Sequence, residues 1–161
     1  MPDKKVVRVP HLGGIDAAYQ TPQPYDPSKP TLVLVNSFTT DSDLYQKQYV
    51  NKQLTDTINL LAIELLGHGQ TRTARENWTY WDTAEMNLQV LDQLGIDKVF
   101  VLGTSQGGWI TVRMALLRPE KVSNKQIPSI MYRIWDKHCI RLRGSFPWAH
   151  LLISNPSAPA S

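Results

Sequence analysis

Short apolar runs and helically spaced apolar positions take turns along most of the chain. The segments "KVVRVP" (5–10) and "IDAAYQT" (15–21) flank His11-Leu12-Gly13-Gly14 and predict a hairpin closed by a glycine turn. Four prolines in "TPQPYDPSKP" (21–30) make the next stretch a loop. "TLVLVNSF" (31–38), "NLLAIEL" (59–65) and "KVFVLG" (98–103) carry near-unbroken apolar runs, the pattern of strands buried on both faces of a parallel sheet. Between them, residues 43–54 predict a short helix with Leu44, Tyr45, Gln48 and Tyr49 near one face. Over 80–94, Trp81, Ala84, Leu88, Leu91 and Leu94 recur at spacings of three and four, and Gly95 supplies the stop. Residues 106–117 predict a third helix with Trp109, Val112, Ala115 and Leu116 on its apolar side, ended by Arg118-Pro119. Strands alternating with helices define an α/β chain with a mostly parallel sheet and helices on both faces.

Composition narrows the function classes. A chain of 161 residues, 42% of them hydrophobic, can bury one core. Its formal charge of +3 is unevenly placed, with 12 Lys and Arg against 13 Asp and Glu over 1–121, and five basic residues against Asp136 alone over 122–161. Those five are scattered, so no nucleic-acid partner is expected. Cys139 stands alone, which rules out an internal disulfide and a cysteine-based zinc site. "MPDKKVVRVP" lacks the apolar core of a signal peptide and no run reaches the ~20 residues of a membrane span, so a soluble cytoplasmic protein is the expectation. No cofactor and no metal are called for.

The candidate chemistry sits in "VLGTSQGGW" (101–109). Gly103-Thr104-Ser105-Gln106-Gly107 is G-x-S-x-G at a strand-to-helix junction, where a sharp turn lifts the serine to the strand's carboxyl end. The glycines are required because neighbouring backbone comes into contact there. The helix beginning at Gln106 points unpaired N–H groups and the positive end of its dipole at any charge that develops beside Ser105.

A second stretch, "ELLGHGQT" (64–71), follows the strand ending near Glu64. Together these two segments resemble the α/β-hydrolase family, whose fourth strand commonly exits as D-x-x-G-x-G-x-S and whose nucleophile elbow reads G-x-S-x-G-G. Glu64 stands for the Asp and Thr71 for the Ser. "ALLRPEKV" (115–122) is similar to the family's helix end after the elbow. The resemblance spans about residues 5–121 and implies an incomplete α/β-hydrolase domain over 1–121, with the sheet order 1-2-4-3-5 for its five strands. It also implies hydrolysis of an ester, thioester or small amide through an acyl-enzyme at Ser105. The oxyanion hole would be formed by the amides of Gln106 and Phe38, with Asn36-Ser37 replacing the family's His-Gly. The partner would be a small-molecule acyl substrate, and no prediction of oligomeric state follows.

A serine nucleophile needs a base, and the base an orienting acid. The family supplies them in the order Ser, Asp or Glu, His. His11 lies in the hairpin, and His68 is expected to shape the rim of the site. His138 and His150 remain, with Asp136 or Glu120 as acid. Ser105, Asp136 and His150 have the right order, yet 45 residues cannot contain three strands with their crossovers, each unit needing ~25–30 residues.

From Val122 onward the strand–helix rhythm stops. Residues 122–161 are expected to be a tail foreign to the family, translated intron or frameshifted sequence, with Lys121-Val122-Ser123 encodable by a splice-donor consensus. The strand at 98–103 would then become an exposed edge, covered at best by "IMYRIW" (130–135) or by Trp135, Phe146 and Trp148. Two readings follow: a serine hydrolase by ancestry, or a truncated, inactive member surviving as an interaction or regulatory protein or as a gene-model artefact.

Overall fold

The computed structural model describes residues 2–123. Asp136, His138, Cys139, His150 and the segment 130–135 lie outside the described residues. Strands β1 (Lys5–Val9) and β2 (Ile15–Gln20) form the expected antiparallel hairpin, with Lys5 opposite Tyr19 and Val9 opposite Ile15. A single 3-10 turn at His11–Gly13 closes it, with Leu12 and Gly13 at positive φ. β3 (Thr31–Val35) and β4 (Asn59–Ile63) pair in parallel over their whole length, and β3 pairs in parallel with β6 (Phe100–Gly103) on its other side. The order is β1-β2-β4-β3-β6, so the five long strands follow the 1-2-4-3-5 arrangement.

No periodicity announced β5 (Arg72–Thr73), which pairs antiparallel with β2 at Ile15 and Asp16. Two residues are too short to carry a period, and their pairing depends on the turn at 64–71 returning the chain to β2.

Every residue of β3 and β4 is buried, as an interior parallel strand requires. Alternate side chains feed two separate cores. Val33, Val35, Leu61 and Ile63 pack beneath helices α3 (Tyr80–Gln93) and α4 (Gln106–Leu117). Leu32, Leu34, Leu60 and Ala62 face Tyr45, Tyr49, Leu54 and Ile58 on the opposite side. β6 is different: Phe100, Val101 and Leu102 are half-buried, and among the described residues its outer side is met only by a parallel bridge between Val99 and Val122.

The helices correct the sequence expectations in two places. The helix predicted at 43–54 is a 3-10 turn (Ser42–Tyr45), α1 (Gln46–Tyr49) and α2 (Lys52–Thr57). Asn51 breaks it, because its side chain accepts the Leu54 N–H and caps α2 at extended backbone angles. Tyr45, Gln48 and Tyr49 are buried as predicted, whereas Leu44 is 43% exposed.

In α4 the predicted apolar side is rotated. Trp109 and Leu116 are 62% and 67% exposed, and the buried line is Gly107, Ile110, Thr111 and Met114. That line has i, i+3, i+4, i+7 spacing, and the glycine at its head decides which face meets the sheet. α3 is buried as predicted at Ala84, Leu88 and Leu91, while Trp81 stays 46% exposed beneath the Arg113 guanidinium. Thr79 begins this helix with a capping box: its hydroxyl accepts the Asp82 N–H and the Asp82 carboxylate accepts the Thr79 N–H.

Candidate active site

Ser105 stands between β6 and α4 with φ 52 and ψ −115, a backbone conformation that L-residues avoid. The turn is held that way by its glycines. A Cβ on Gly103 would lie 2.2 Å from the Gly107 carbonyl group, and one on Gly107 would lie 2.2 Å from the Val35 carbonyl oxygen. With both side chains absent, the start of α4 rests directly on the end of β3, and the Thr104 N–H reaches the Val35 oxygen at 3.2 Å. Ser105 is exposed, and among the described residues its hydroxyl makes no hydrogen bond.

Two amides, one next to Ser105 in the chain and one in the loop after the paired strand β3, share a feature. The Gln106 N–H opens α4 and has no acceptor among the described residues, a consequence of its place in the first turn. The carbonyl of the same peptide, that of Ser105, accepts the Gly108 N–H at 2.9 Å. The Phe38 N–H, in the loop leaving β3, also has no acceptor among the described residues. Its peptide's carbonyl, that of Ser37, accepts the Thr40 N–H at 3.2 Å, the Thr40 hydroxyl at 2.8 Å and the Asn36 carboxamide at 3.1 Å. Thr39 follows at φ 63. The Phe38 ring is 63% exposed and meets His68 edge-on, centroids 5.7 Å apart.

The turn after β4 is built around a buried carboxylate. Glu64, wholly buried, accepts from Lys4 Nζ at 2.8 Å, from the Ser42 hydroxyl at 2.7 Å and from the Gln70 N–H at 2.6 Å. Lys4 also reaches Asp41 at 2.8 Å. Burial pushes the Glu64 carboxyl up, but Lys4, Gln70 and Ser42 together outweigh it and hold the group below its ordinary value. Gly69 is required here, since a Cβ on it would fall 2.0 Å from a Glu64 oxygen. Thr71 completes the motif: its hydroxyl donates to the Glu64 carbonyl and accepts the Ala18 N–H. The sequence matched Glu64 and Thr71 to the motif; Lys4, Asp41 and Ser42 had no signal, because 22 to 60 positions separate them from the groups they hold.

Neither histidine among the described residues hydrogen-bonds to Ser105. His11 Nε2 is bound to Asp82 at 2.9 Å; burial pushes the Asp82 carboxyl up, but Thr79 and His11 outweigh it and hold the group below its ordinary value. His68 Nδ1 donates to the Leu66 carbonyl at 3.2 Å, and its ring lies on Phe38, so it forms part of the rim. Glu120 is exposed. A cleft of about 430 Å³ beside this rim is lined by Thr39, Thr40, Asp41, Leu44, His68 and Gly69. Among the described residues no three His, Cys, Asp or Glu side chains converge on a metal position, and no helix is long and apolar enough to cross a membrane.

A mixed sheet, parallel over β4, β3 and β6, with helices on both faces and a strained serine at the exit of β6, defines the class of protein. The family model for the alpha/beta hydrolase fold matches residues 30–124, and the chain belongs to that family. It is 30% identical over 144 residues to the uncharacterized hydrolase YugF of Bacillus subtilis (strain 168), a match covering 88% of this chain and 51% of that protein. It is 27% identical over 108 residues to 3-oxoadipate enol-lactonase 1 of Acinetobacter baylyi, covering 67% of this chain and 40% of the enzyme. Among solved structures, a probable hydrolytic enzyme from Pseudomonas aeruginosa PAO1 superposes with a TM-score of 0.66 at 20% identity, over 75% of this chain and 39% of that one. The chain therefore spans about half the length, or less, of the curated relatives it matches.

Proposed function

We propose that this chain carries the nucleophile and oxyanion half of a serine hydrolase site acting on an ester, thioester or small amide. The Ser105 oxygen attacks the substrate carbonyl carbon, and the carbonyl oxygen becomes an anion held by the Gln106 and Phe38 amides. Collapse of that adduct expels the alcohol, thiol or amine and leaves an acyl group on Ser105. The observation that carries this reading is the strained backbone of Ser105, φ 52, followed by the Gln106 amide and standing after the strand paired with the one that leads to Phe38, both amides having no acceptor among the described residues. Strain of that kind costs about 1–3 kcal/mol and persists only where surrounding structure enforces it, here through Gly103 and Gly107.

One observation favours a second reading. The serine proton must pass to a base, and among the described residues no hydrogen bond joins either imidazole to Ser105, His11 Nε2 being bound to Asp82 and His68 donating through Nδ1 to Leu66. Lacking a base, the polypeptide would be an inactive family member with an interaction or regulatory role. A fluorophosphonate probe separates the two. Labelling of the wild type that disappears in Ser105→Ala supports the hydrolase reading. An unlabelled wild type supports the inactive one, and labelling that survives in Ser105→Ala overturns the assignment of the nucleophile.

A further inference from the structure

We infer that Asn36 is the positioning residue of the oxyanion loop, fixing the direction and the donor strength of the Phe38 N–H; this rests on the hydrolase reading of the site. Asn36 is the first residue after β3 and is wholly buried, although a carboxamide is costly to bury without partners. Each end of its side chain is used. Oδ1 accepts the Leu65 N–H at 3.1 Å, and Nδ2 donates to the carbonyls of Ser37 at 3.1 Å and Thr40 at 2.6 Å. One side chain thus ties the exit of β3 to the exit of β4 and closes residues 37–40 into a compact loop.

The consequence for Phe38 comes from peptide planarity. The Ser37 carbonyl and the Phe38 N–H belong to one planar trans unit, so they point in opposite directions. Drawing the carbonyl inward with Asn36 Nδ2, the Thr40 N–H and the Thr40 hydroxyl turns the N–H outward, away from the loop. Hydrogen bonds accepted by a carbonyl also polarise its own amide, making the N–H a stronger donor. The Gln106 amide is prepared in the same manner, by the Gly108 N–H on the Ser105 carbonyl. The two amides therefore share one construction, though in α4 the helix supplies the tie and after β3 a side chain must. A His-Gly pair at positions 36 and 37 would relax the backbone; Asn36 instead fastens it.

Two variants test this, read by two measurements. Asn36→Ala removes both ends of the tie, and Thr40→Val removes one hydroxyl from the Ser37 carbonyl without emptying a buried site. The first measurement is the second-order rate of fluorophosphonate labelling at Ser105, taken at a temperature where melting curves show each protein folded. Loss of an oxyanion donor lowers turnover by about 10²–10³-fold, so misdirecting one should slow labelling about tenfold in Asn36→Ala and severalfold in Thr40→Val. The second is hydrogen exchange at residues 37–40, expected to accelerate in both variants. Folded variants that label and exchange like the wild type overturn the inference. If the wild type itself does not label, the hydrolase reading has failed and Asn36 loses its catalytic consequence; exchange then decides alone whether it positions the loop, and unchanged exchange refutes that too.

Discussion

Gly107 and Gly108 are neighbours in sequence, yet the structure requires opposite responses to the same substitution. Gly107→Ala places a Cβ 2.2 Å from the Val35 oxygen, 2.6 Å from the Asn36 oxygen and 2.8 Å from the Val35 carbonyl carbon. Ordinary contact begins at 3.4 Å, so α4 must withdraw from β3 by 1.2 Å, the difference between 3.4 and 2.2. The contacting atoms are backbone and cannot rotate aside. Withdrawal also breaks the Thr104 N–H bond to the Val35 oxygen. Overpacking of this kind costs about 1–3 kcal/mol and the hydrogen bond about 1 kcal/mol, for a sum near 3 kcal/mol.

A Cβ on Gly108 meets nothing nearer than the Gly103 oxygen at 3.5 Å, within ordinary contact. Here the helix propensity of alanine acts unopposed and contributes about 1 kcal/mol. At about 4 °C per kcal/mol for a domain of this size, Gly107→Ala should melt some 12 °C below the wild type and Gly108→Ala a few degrees above it. Circular-dichroism melts and urea titrations of the full chain, run side by side, measure both. A Gly107→Ala protein melting within 3 °C of wild type, or a Gly108→Ala protein losing as much as Gly107→Ala, would refute the seating of α4 on β3 through Gly107.

The strain at Ser105 gives a second comparison: Ser105→Gly should be more stable than Ser105→Ala by about 1 kcal/mol in urea denaturation, reversing the usual order of these residues because only glycine adopts φ 52 without cost. Equal stability would remove the claim of strain. The Lys4, Glu64 and Asp41 cluster sets the acid limit of stability. For both carboxyls burial acts upward and is outweighed, chiefly by Lys4, so they lie below their ordinary values of 4.5 and 3.8. Their contribution is complete above those values and is lost as pH falls through and below them. Lys4→Ala leaves Glu64 buried without its cation, costs about 3 kcal/mol and moves the acid unfolding midpoint to higher pH; a midpoint unmoved in a pH titration of ellipticity would show that Lys4 does not hold Glu64.

The candidate site was half legible. G-x-S-x-G announces itself because a tight elbow imposes glycines at fixed offsets, a local constraint that survives in any one-dimensional reading. Its oxyanion partner does not, since Phe38 is one loop residue among several and acquires meaning only when β3 and β6 lie side by side. The capping box of Thr79 and Asp82 joins residues three apart, whereas the tie of Asp82 to His11 spans 71 positions and has no local trace.

What the amino-acid order determined by itself was which segments become strands and helices, for burial on both faces writes an unbroken apolar run into a strand and burial on one face writes spacings of three and four into a helix. Tertiary structure alone decided which face of α4 turns inward, where the helix predicted at 43–54 breaks, and which distant side chains occupy the charge of Glu64. Those outcomes depend on contacts between residues remote in the chain, such as Gly107 on Val35, Tyr45 on the Val35 carbonyl and Lys4 on Glu64. A periodic pattern fixes how a segment divides its surface between water and core; only the neighbouring segment, once packed, selects the atom that each position touches.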